Sequence, residues 1–547
     1  MRNIVGGLLA CVLLAGCARV GTSNEAAGAP DARHPWTVPG VLRIGSQVSP
    51  NTLDPLLAAN TTENMIDRLM FDVLVSTDAT GSRDVPMLAA AVPTLENGGI
   101  SRDGLTLTYH LRRNVRWSDG VPFTSKDVKF SWRAILNPRN NVISQTGYAL
   151  VDSVDTPDPW TVVFHMKQRF SPAVDTLFAE SDSPYNVVPE HILGKLRDLN
   201  NVPFNSAPVG TGPFIFKEWA RGDHLTLVAN PHYYLGVPKL KKIVVKFIPD
   251  ENTELSALRT HDLDWQFEAS PDQYEQLKTI PDVRLVLQNR NEYERIEINA
   301  LHPPLDDVRV RQAIAYGLNR PELVRNLTFG SATPADQDLP PFMWAHATDI
   351  MRYPHDPARA KALLAQAGWV AGRDGIVQKN GRRLVITLAA EVSNVTRRLA
   401  VVQTQALLRQ VGIAVEPKFY PGAILYAAMG ENGVIQSGHF DLAWDAWVAG
   451  IDPDQSSVYL CSAQPPRGNN TTHYCNAQMD AAQHVALENF DRPTRKAAYA
   501  RIESLLSHDQ PLIPVWWPHQ IQPVNPDFRN FAPNPVTESW NAYEWDI

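Results

Sequence analysis

The segment 440–454 brings together side chains that could bind a small molecule. It reads Phe-Asp-Leu-Ala-Trp-Asp-Ala-Trp-Val-Ala-Gly-Ile-Asp-Pro-Asp and contains Trp444, Trp447 and Asp452. An indole ring can stack on a planar group or on the face of a sugar ring, and a carboxylate can pair with a cation. The same segment also has the pattern of a buried strand, which would place its tryptophans in the core. Both interpretations stay open here, as they do for the tryptophans at 516–517.

The amino-terminal residues have the pattern of an export signal. The apolar run 4–15 is too short for a membrane-spanning helix and has the length of a signal-peptide core. It ends in Leu-Ala-Gly-Cys at 14–17, which resembles the lipobox of bacterial lipoproteins. We therefore expect cleavage before Cys17 and attachment of a lipid to Cys17.

Two cysteines lie in the part of the chain that is expected to fold. Cys11 falls in the predicted signal peptide and Cys17 carries the predicted lipid, which leaves Cys461 and Cys475. An even pair in an oxidising compartment favours a disulfide, with two buried free thiols as the alternative.

Motifs of catalysis and metal binding are missing from the sequence. The chain has no Gly-x-Ser-x-Gly, His-Glu-x-x-His, Cys-x-x-Cys or Gly-x-x-x-x-Gly-Lys motif. His473 has no second histidine or carboxylate at ligand spacing, so neither a metal nor a cofactor is predicted. We expect a protein that is not an enzyme, although a carboxylate pair of the glycosidase kind leaves no sequence motif.

Length and charge limit the classes of function. Loss of the signal peptide removes Arg2 and adds to the excess of acidic over basic residues, which is eight in the whole chain. This balance argues against a nucleic-acid partner. About 510 residues follow the tether predicted below, too many for one core, so two or three lobes are expected.

The first half of the chain contains the signals of a compact α/β lobe. Alternating apolar residues at 105–111 and 160–166 predict two half-buried strands. Between them, Thr124 begins a Thr-x-x-Asp capping pattern, and apolar residues from 128 to 136 recur at helical spacing until Asn137-Pro138.

Strand and helix signals alternate further along the chain. Residues 310–318 have one apolar helical face, and Asp356-Pro357 begins a second helix that ends at Gly368. The apolar runs 384–388 and 413–415 flank another helical pattern, which predicts a βαβ unit.

Four blocks in fixed order resemble the large extracytoplasmic solute-binding proteins of the peptide, opine and nickel group, which serve ABC-type importers. The resemblance implies a periplasmic-binding-protein-like α/β fold, in which two lobes hinge around a ligand and an extra lobe lies at the side. With Leu53-Asp54-Pro55 and 495–514, the blocks span the mature chain. They are 113–138 with Trp-Ser-Asp-Gly and Thr-Ser-Lys-Asp-Val, 209–238 with Val-Gly-Thr-Gly-Pro-Phe and Asn-Pro-His-Tyr-Tyr, 304–320, and 440–474.

The resemblance and the composition together predict the domain bounds. A stretch rich in Gly, Ala, Ser and Pro before Val41 indicates a flexible tether. The predicted segments are a signal peptide 1–17, a tether 18–40, lobe I formed by 41–82 with 207–298 and 505–547, side lobe II formed by 83–206, and lobe III formed by 299–504.

Peptide-binding relatives carry an arginine, a tryptophan and an amine-binding aspartate after Phe-Asp. Here Trp444, Trp447 and Gly450 align with these positions, and the resemblance places Trp447 at the cleft. Glycine offers no carboxylate, and an unpaired buried ammonium costs several kcal/mol. The alignment therefore argues against ordinary peptide binding through the terminal amine, because Asp452 could replace the missing aspartate only if the loop rearranged.

The resemblance also suggests ligand contacts elsewhere. Gln47 and Val48 align with the first cleft strand of relatives, and Tyr148 aligns with a cleft tyrosine of the side lobe. Each of the three could equally be an ordinary loop residue.

The expected protein is exported, lipid-anchored on the outer face of a membrane, and monomeric. It is expected to capture a peptide or peptide-like solute by cleft closure and to deliver it to ABC permease and ATPase subunits. The alternatives are a receptor for an oligosaccharide or another non-peptide solute, a ligand-sensing lipoprotein and, with less support, a hydrolase. The membrane is contacted through the lipid only, and no nucleic acid or cofactor is expected.

Overall fold

The computed structural model describes residues 33–181 and 184–547. The predicted signal peptide, Cys17 and the tether up to residue 32 lie outside these residues. No helix in the described ranges is long and apolar enough to cross a membrane. The described strands are β1 Val41–Ser46, β2 Val75–Thr77, β3 Asp84–Pro86, β4 Thr106–His110, β5 Val151–Asp158, β6 Thr161–Met166, β7 Phe214–Ala220, β8 His224–Ala229, β9 Lys242–Phe247, β10 Trp265–Gln266, β11 Arg284–Asn289, β12 Glu292–Ile298, β13 Ala332–Pro334, β14 Val370–Ala371, β15 Val377–Lys379, β16 Arg382–Arg383, β17 Val385–Glu391, β18 Ala414–Tyr420, β19 Leu442–Val448 and β20 Leu512–Val524. The described α-helices are α1 Thr61–Met70, α2 Ser125–Leu136, α3 Ala173–Thr176, α4 Glu190–Leu193, α5 Glu251–Arg259, α6 Tyr274–Leu277, α7 Val308–Gly317, α8 Arg320–Thr328, α9 Pro357–Gln366, α10 Val395–Gln410, α11 Gly422–Leu425, α12 Ser456–Tyr459, α13 Ala477–Glu488 and α14 Arg492–Asp509.

One long strand joins the two principal lobes. The main sheet has the order β18-β17-β19-β12-β20-β10-β1-β9-β8-β7, with β11 and β13 also paired to β20. Strand β20 pairs with β12 and β13 over Leu512–Pro518 and with β11 and β10 over His519–Val524. Lobes I and III therefore share β20, and the predicted boundaries at residues 298 and 504 stay predictions.

Side lobe II is built on a small antiparallel sheet. Its strands are ordered β4-β6-β5, and α2 packs against this sheet. The backbone N–H of Thr124 donates to the Asp127 carboxylate at 2.8 Å, which fixes the start of α2 as in a capping box. The two strands and the helix predicted for this lobe are confirmed.

Lobe III contains the predicted βαβ unit. Strands β17 and β18 are parallel, from Val385↔Ala414 to Glu391↔Tyr420, and α10 connects them. Helices α7 and α9 also form where the sequence predicts them. Cys461 and Cys475 are joined by a disulfide in this lobe.

The extents of the hydrophobic core clusters coincide only in part with the lobes. One cluster runs from lobe I into side lobe II and includes Leu42 and Phe164, whereas separate clusters fill lobe III around Leu388 and Tyr499. Apolar burial thus makes side lobe II a continuation of lobe I.

Residues 33–40, which the sequence assigns to the tether, contact lobe I. The Thr37 hydroxyl donates to Asp527 at 2.6 Å, and the ring of Trp36 stacks on His261 with centroids 3.9 Å apart. Packing against lobe I therefore begins before Val41.

Candidate functional site

A cavity of 340 Å³ lies where lobe I, side lobe II and lobe III meet. Its volume falls in the range of about 300–1,000 Å³ that is typical of small-molecule sites. We call it the central cavity. It is lined by Pro55, Ala58, Ala59, Asn60, Thr61, Asn64, Met65, Arg68, Ile143, Glu180, Ser181, Pro184, Tyr185, Arg290, Val448, Ala449, Pro535, Val536, Thr537 and Glu538.

Helix α1 supplies one wall of the central cavity. The side chain of Asn60 caps the helix by accepting a backbone N–H of its first turn. Thr61, Asn64, Met65 and Arg68 follow at spacings of three and four residues, so they lie on one helical face. That face lines the cavity.

Arg68 is the centre of a buried ionic group at one end of α1. Its guanidinium donates to Asp72 at 3.4 Å and lies 3.2 Å from a Glu180 carboxylate oxygen. Burial raises the pKa of the Asp72 carboxyl to about 6, although the charge of Arg68 lowers it. The same oxygen of Glu180 accepts from Ser76 at 2.8 Å, and the other oxygen has no hydrogen-bond partner. We call Arg68, Asp72 and Glu180 the Arg68 cluster.

A second ionic group surrounds Arg290, which lies between β11 and β12. Its guanidinium is 3.2 Å from Glu268, 3.8 Å from Glu538 and 3.9 Å from Glu292. Burial and the charge of Glu268 raise the pKa of the Glu538 carboxyl to about 7. Thr61 of the cavity wall donates to Glu268 at 2.8 Å. We call Arg290 and these three glutamates the Arg290 cluster.

The two tryptophans predicted for the site lie on opposite faces of β19, because strand side chains alternate and these residues are three positions apart. Trp444 is completely buried, packs against Trp516 at 5.4 Å and donates its indole N–H to Glu294 at 2.7 Å. Trp447 is half-buried, with the Arg295 guanidinium 5.1 Å from its ring centroid. Neither lines the central cavity.

Gly450 lies between two cavities. Ala449 lines the central cavity, and Ile451 lines a second cavity of 410 Å³ between side lobe II and lobe III. The Gly450 carbonyl accepts a hydrogen bond from the Asn291 side chain. Asp452 is buried, and its carboxylate is paired with Arg495 at 2.7 Å.

The remaining predicted contacts lie outside the central cavity. Gln47 donates to Glu254 at 3.2 Å, and Val48 is 48% exposed on the surface. Tyr148 is buried in side lobe II, where its hydroxyl accepts from the Phe178 N–H at 2.8 Å. Trp517, like Trp516, is packed in the core of lobe III.

No metal centre is visible in the described part of the chain. It contains no group of three or more His, Cys, Asp or Glu side chains placed to hold a metal ion. His473 faces Gly438 in a loop of lobe III, where burial lowers the pKa of its imidazole.

Sequence reasoning missed the charged residues of the cavity. The spacing of Thr61, Asn64 and Arg68 was a local signal that could have identified a polar face on α1. Glu180 and Glu538 gave no such signal, because they come from distant segments that only folding brings to one wall.

The family model for bacterial extracellular solute-binding proteins, family 5 Middle, matches residues 85–469 of the chain. The chain is 26% identical to the oligopeptide-binding protein AppA of Bacillus subtilis strain 168, over 98% of this chain and 97% of that protein. It is 28% identical to the glutathione-binding protein GsiB of Salmonella choleraesuis strain SC-B67, over 87% of this chain and 88% of that protein.

Solved structures support the same relationship. The chain resembles NikZ from Campylobacter jejuni in complex with Ni(L-His), with a TM-score of 0.74 and 25% identity over 93% of this chain and 99% of that chain. It resembles AppA from Bacillus subtilis in complex with a nonapeptide, with a TM-score of 0.73 and 25% identity over 92% of this chain and 98% of that chain. The predicted fold of two hinged α/β lobes and a side lobe is confirmed.

Proposed function

The chain belongs to the bacterial extracellular solute-binding proteins of family 5, and we propose that it captures a peptide or peptide-like small solute for an ABC-type importer. The observation that carries this proposal is the central cavity, whose walls come from lobe I, side lobe II and lobe III together. A solute in this cavity would contact all three lobes and would favour the closed arrangement over the open one.

Closure would depend on a few direct contacts around the cavity. The Ile451 N–H donates to the Glu180 carbonyl at 3.4 Å, linking lobe III to side lobe II. The Ala449 N–H donates to the Asn291 carbonyl at 2.9 Å beside the junction of β11 and β12. Strand β20 and this junction connect the lobes, so rotation about them would open the cavity while the sheets stay intact.

We also propose export and lipid attachment at Cys17, followed by delivery of the solute to permease and ATPase subunits. The family description as extracellular solute-binding proteins supports export. The printed names of AppA and GsiB describe proteins that bind an oligopeptide and glutathione, which supports a peptide-like solute.

The cavity favours a peptide over an oligosaccharide. Among its described lining residues, Tyr185 is the one aromatic side chain, whereas sugar recognition commonly uses broad aromatic faces. About half of the lining residues have apolar side chains, and the rest are polar or charged, which suits the mixed side chains of a peptide. The relatives are named as binding proteins, which supports a role without catalysis.

A thermal-shift experiment tests the proposal. The unlipidated chain from residue 18 is heated with di- to pentapeptides, oligosaccharides, opines and metal chelates, and a ligand of the folded state raises the midpoint by mass action. We expect peptides to raise it, and Ala449→Trp, which fills the cavity, to abolish the rise. Ala477→Trp, at an exposed position on α13, is the matched control. A rise with oligosaccharides alone would contradict the proposal.

A further inference from the structure

Four charged residues line the central cavity, two arginines and two glutamates, and three further carboxylates lie behind them in the two clusters. In the Arg68 cluster, one guanidinium faces two carboxylates. In the Arg290 cluster, one guanidinium faces three carboxylates within 3.9 Å. When all these groups are ionised, the two clusters together have an excess of three negative charges.

Most of this charge is shielded from bulk water, although the Glu268 and Glu292 side chains are each 23% exposed. Glu180 is completely buried, and the Arg290 and Glu538 side chains are 12% and 5% exposed. Carboxylates that are desolvated without a full complement of cations are costly, and a cation from a ligand would offset that cost.

Glu180 is placed to receive such a cation. It lines the cavity, and one oxygen of its carboxylate has no hydrogen-bond partner although Ser76 and Arg68 hold the other. Its backbone carbonyl accepts the Ile451 N–H, so Glu180 lies beside the loop in which Gly450 offers no carboxylate. Side lobe II thus brings an acid to a position where lobe III has none.

We infer that the solute carries a positively charged ammonium or guanidinium group, which pairs in the central cavity with Glu180 and Glu538. This inference rests on the proposed function and narrows it to cationic solutes. An anionic solute would meet Glu180 and Glu538 in the lining, with three more carboxylates behind them, and both guanidinium groups of the two clusters already have carboxylate partners.

Calorimetric titration with four tripeptides tests the inference. Acetylated and amidated Ala-Lys-Ala, Ala-Gln-Ala and Ala-Glu-Ala carry a cationic, a neutral and an anionic middle side chain, and Ala-Gln-Ala that is amidated but unblocked at its amino terminus adds a terminal ammonium alone. We expect the lysine peptide or the unblocked peptide to bind at least tenfold more tightly than blocked Ala-Gln-Ala. The preferred peptide shows whether the cation is a side chain or the amino terminus.

Two variants test whether Glu180 and Glu538 cause the preference for a cationic peptide. Glu180→Gln and Glu538→Gln are each expected to weaken binding of the preferred peptide at least tenfold, while blocked Ala-Gln-Ala is affected less. Glu297→Gln is the matched control, because Glu297 is buried and paired with Arg295 but does not line the cavity. Equal binding of all four peptides would overturn the inference and leave the proposed function standing. Binding of none of them would contradict both.

Discussion

Asp54, in the Leu-Asp-Pro motif near the start of lobe I, is completely buried. One of its oxygens accepts the Leu56 N–H at 3.0 Å, and the other has no hydrogen-bond partner. Burial raises the pKa of its carboxyl from the ordinary 3.8 to about 7. Because the folded chain then holds this proton more tightly than the unfolded chain does, the stability from this group is complete below pH 3.8 and is lost as the pH rises through 7.

Asp54→Asn is therefore expected to flatten the dependence of stability on pH. Relative to the original chain, the free energy of unfolding of the variant should rise by about 4 kcal/mol between pH 4 and pH 7.5. Urea unfolding at several pH values measures this difference. Asp152→Asn, at an exposed position, serves as the control. If the free energy of unfolding of Asp54→Asn and of the original chain changed with pH in parallel, the pKa of this carboxyl would be the same in the folded and the unfolded chain, which would contradict the prediction.

At the scale of elements, side lobe II caps a helix of lobe III. The last carbonyls of an α-helix have no partner within the helix. At the end of α13, the Ser171 N–H donates to the Leu487 carbonyl at 2.7 Å, and its hydroxyl donates to the Ala486 carbonyl at 2.8 Å. Arg495 also donates to the Ala486 carbonyl, at 3.0 Å. One residue of the side lobe thus makes two hydrogen bonds that must break when the lobes separate.

Ser171→Ala is expected to weaken this contact by about 1 kcal/mol, because it removes the hydroxyl and keeps the backbone N–H. Hydrogen exchange of the amides at 486–495 in the ligand-free chain should become several times faster, since the open arrangement is more populated. Ser144→Ala is the control, because the Ser144 hydroxyl donates to Thr146 within side lobe II. Unchanged exchange at 486–495 would mean that the capping contact does not hold the lobes together.

At the scale of the whole molecule, the cores divide the chain into two parts. One core joins lobe I to side lobe II, a smaller cluster lies within lobe I, and separate clusters fill lobe III. The shared strand β20 connects these parts through backbone hydrogen bonds. Cooperative units tend to follow contiguous cores, so lobe I and side lobe II should unfold together and lobe III should unfold as a second unit.

Removal of the disulfide tests this division. Cys461 and Cys475 are 14 residues apart in lobe III, and closing a loop of that size contributes about 3 kcal/mol. In scanning calorimetry, the double variant Cys461→Ser/Cys475→Ser should lower the midpoint of one of two components by roughly 6–12 °C. The other component should stay within a few degrees. An equal shift of one single transition would show that the lobes unfold as one unit.

Much of the local structure could be predicted from sequence, because its causes act over a few residues. The Thr-x-x-Asp pattern before α2, the alternation in β4 and β6, and the βαβ unit from β17 to β18 all form where they are predicted. The family motifs likewise indicated the fold, because each motif is a short run of neighbouring residues.

Tertiary structure alone decided the composition of the site. Trp444 and Trp447 were both candidates for stacking on a ligand, but β19 turns them to opposite faces, and Trp444 is buried in the core. Arg68, Glu180 and Glu538 come from separate segments and meet at one cavity wall. Burial and charge pairing depend on the distances between such segments in the folded chain. The sequence pattern around each residue does not give those distances.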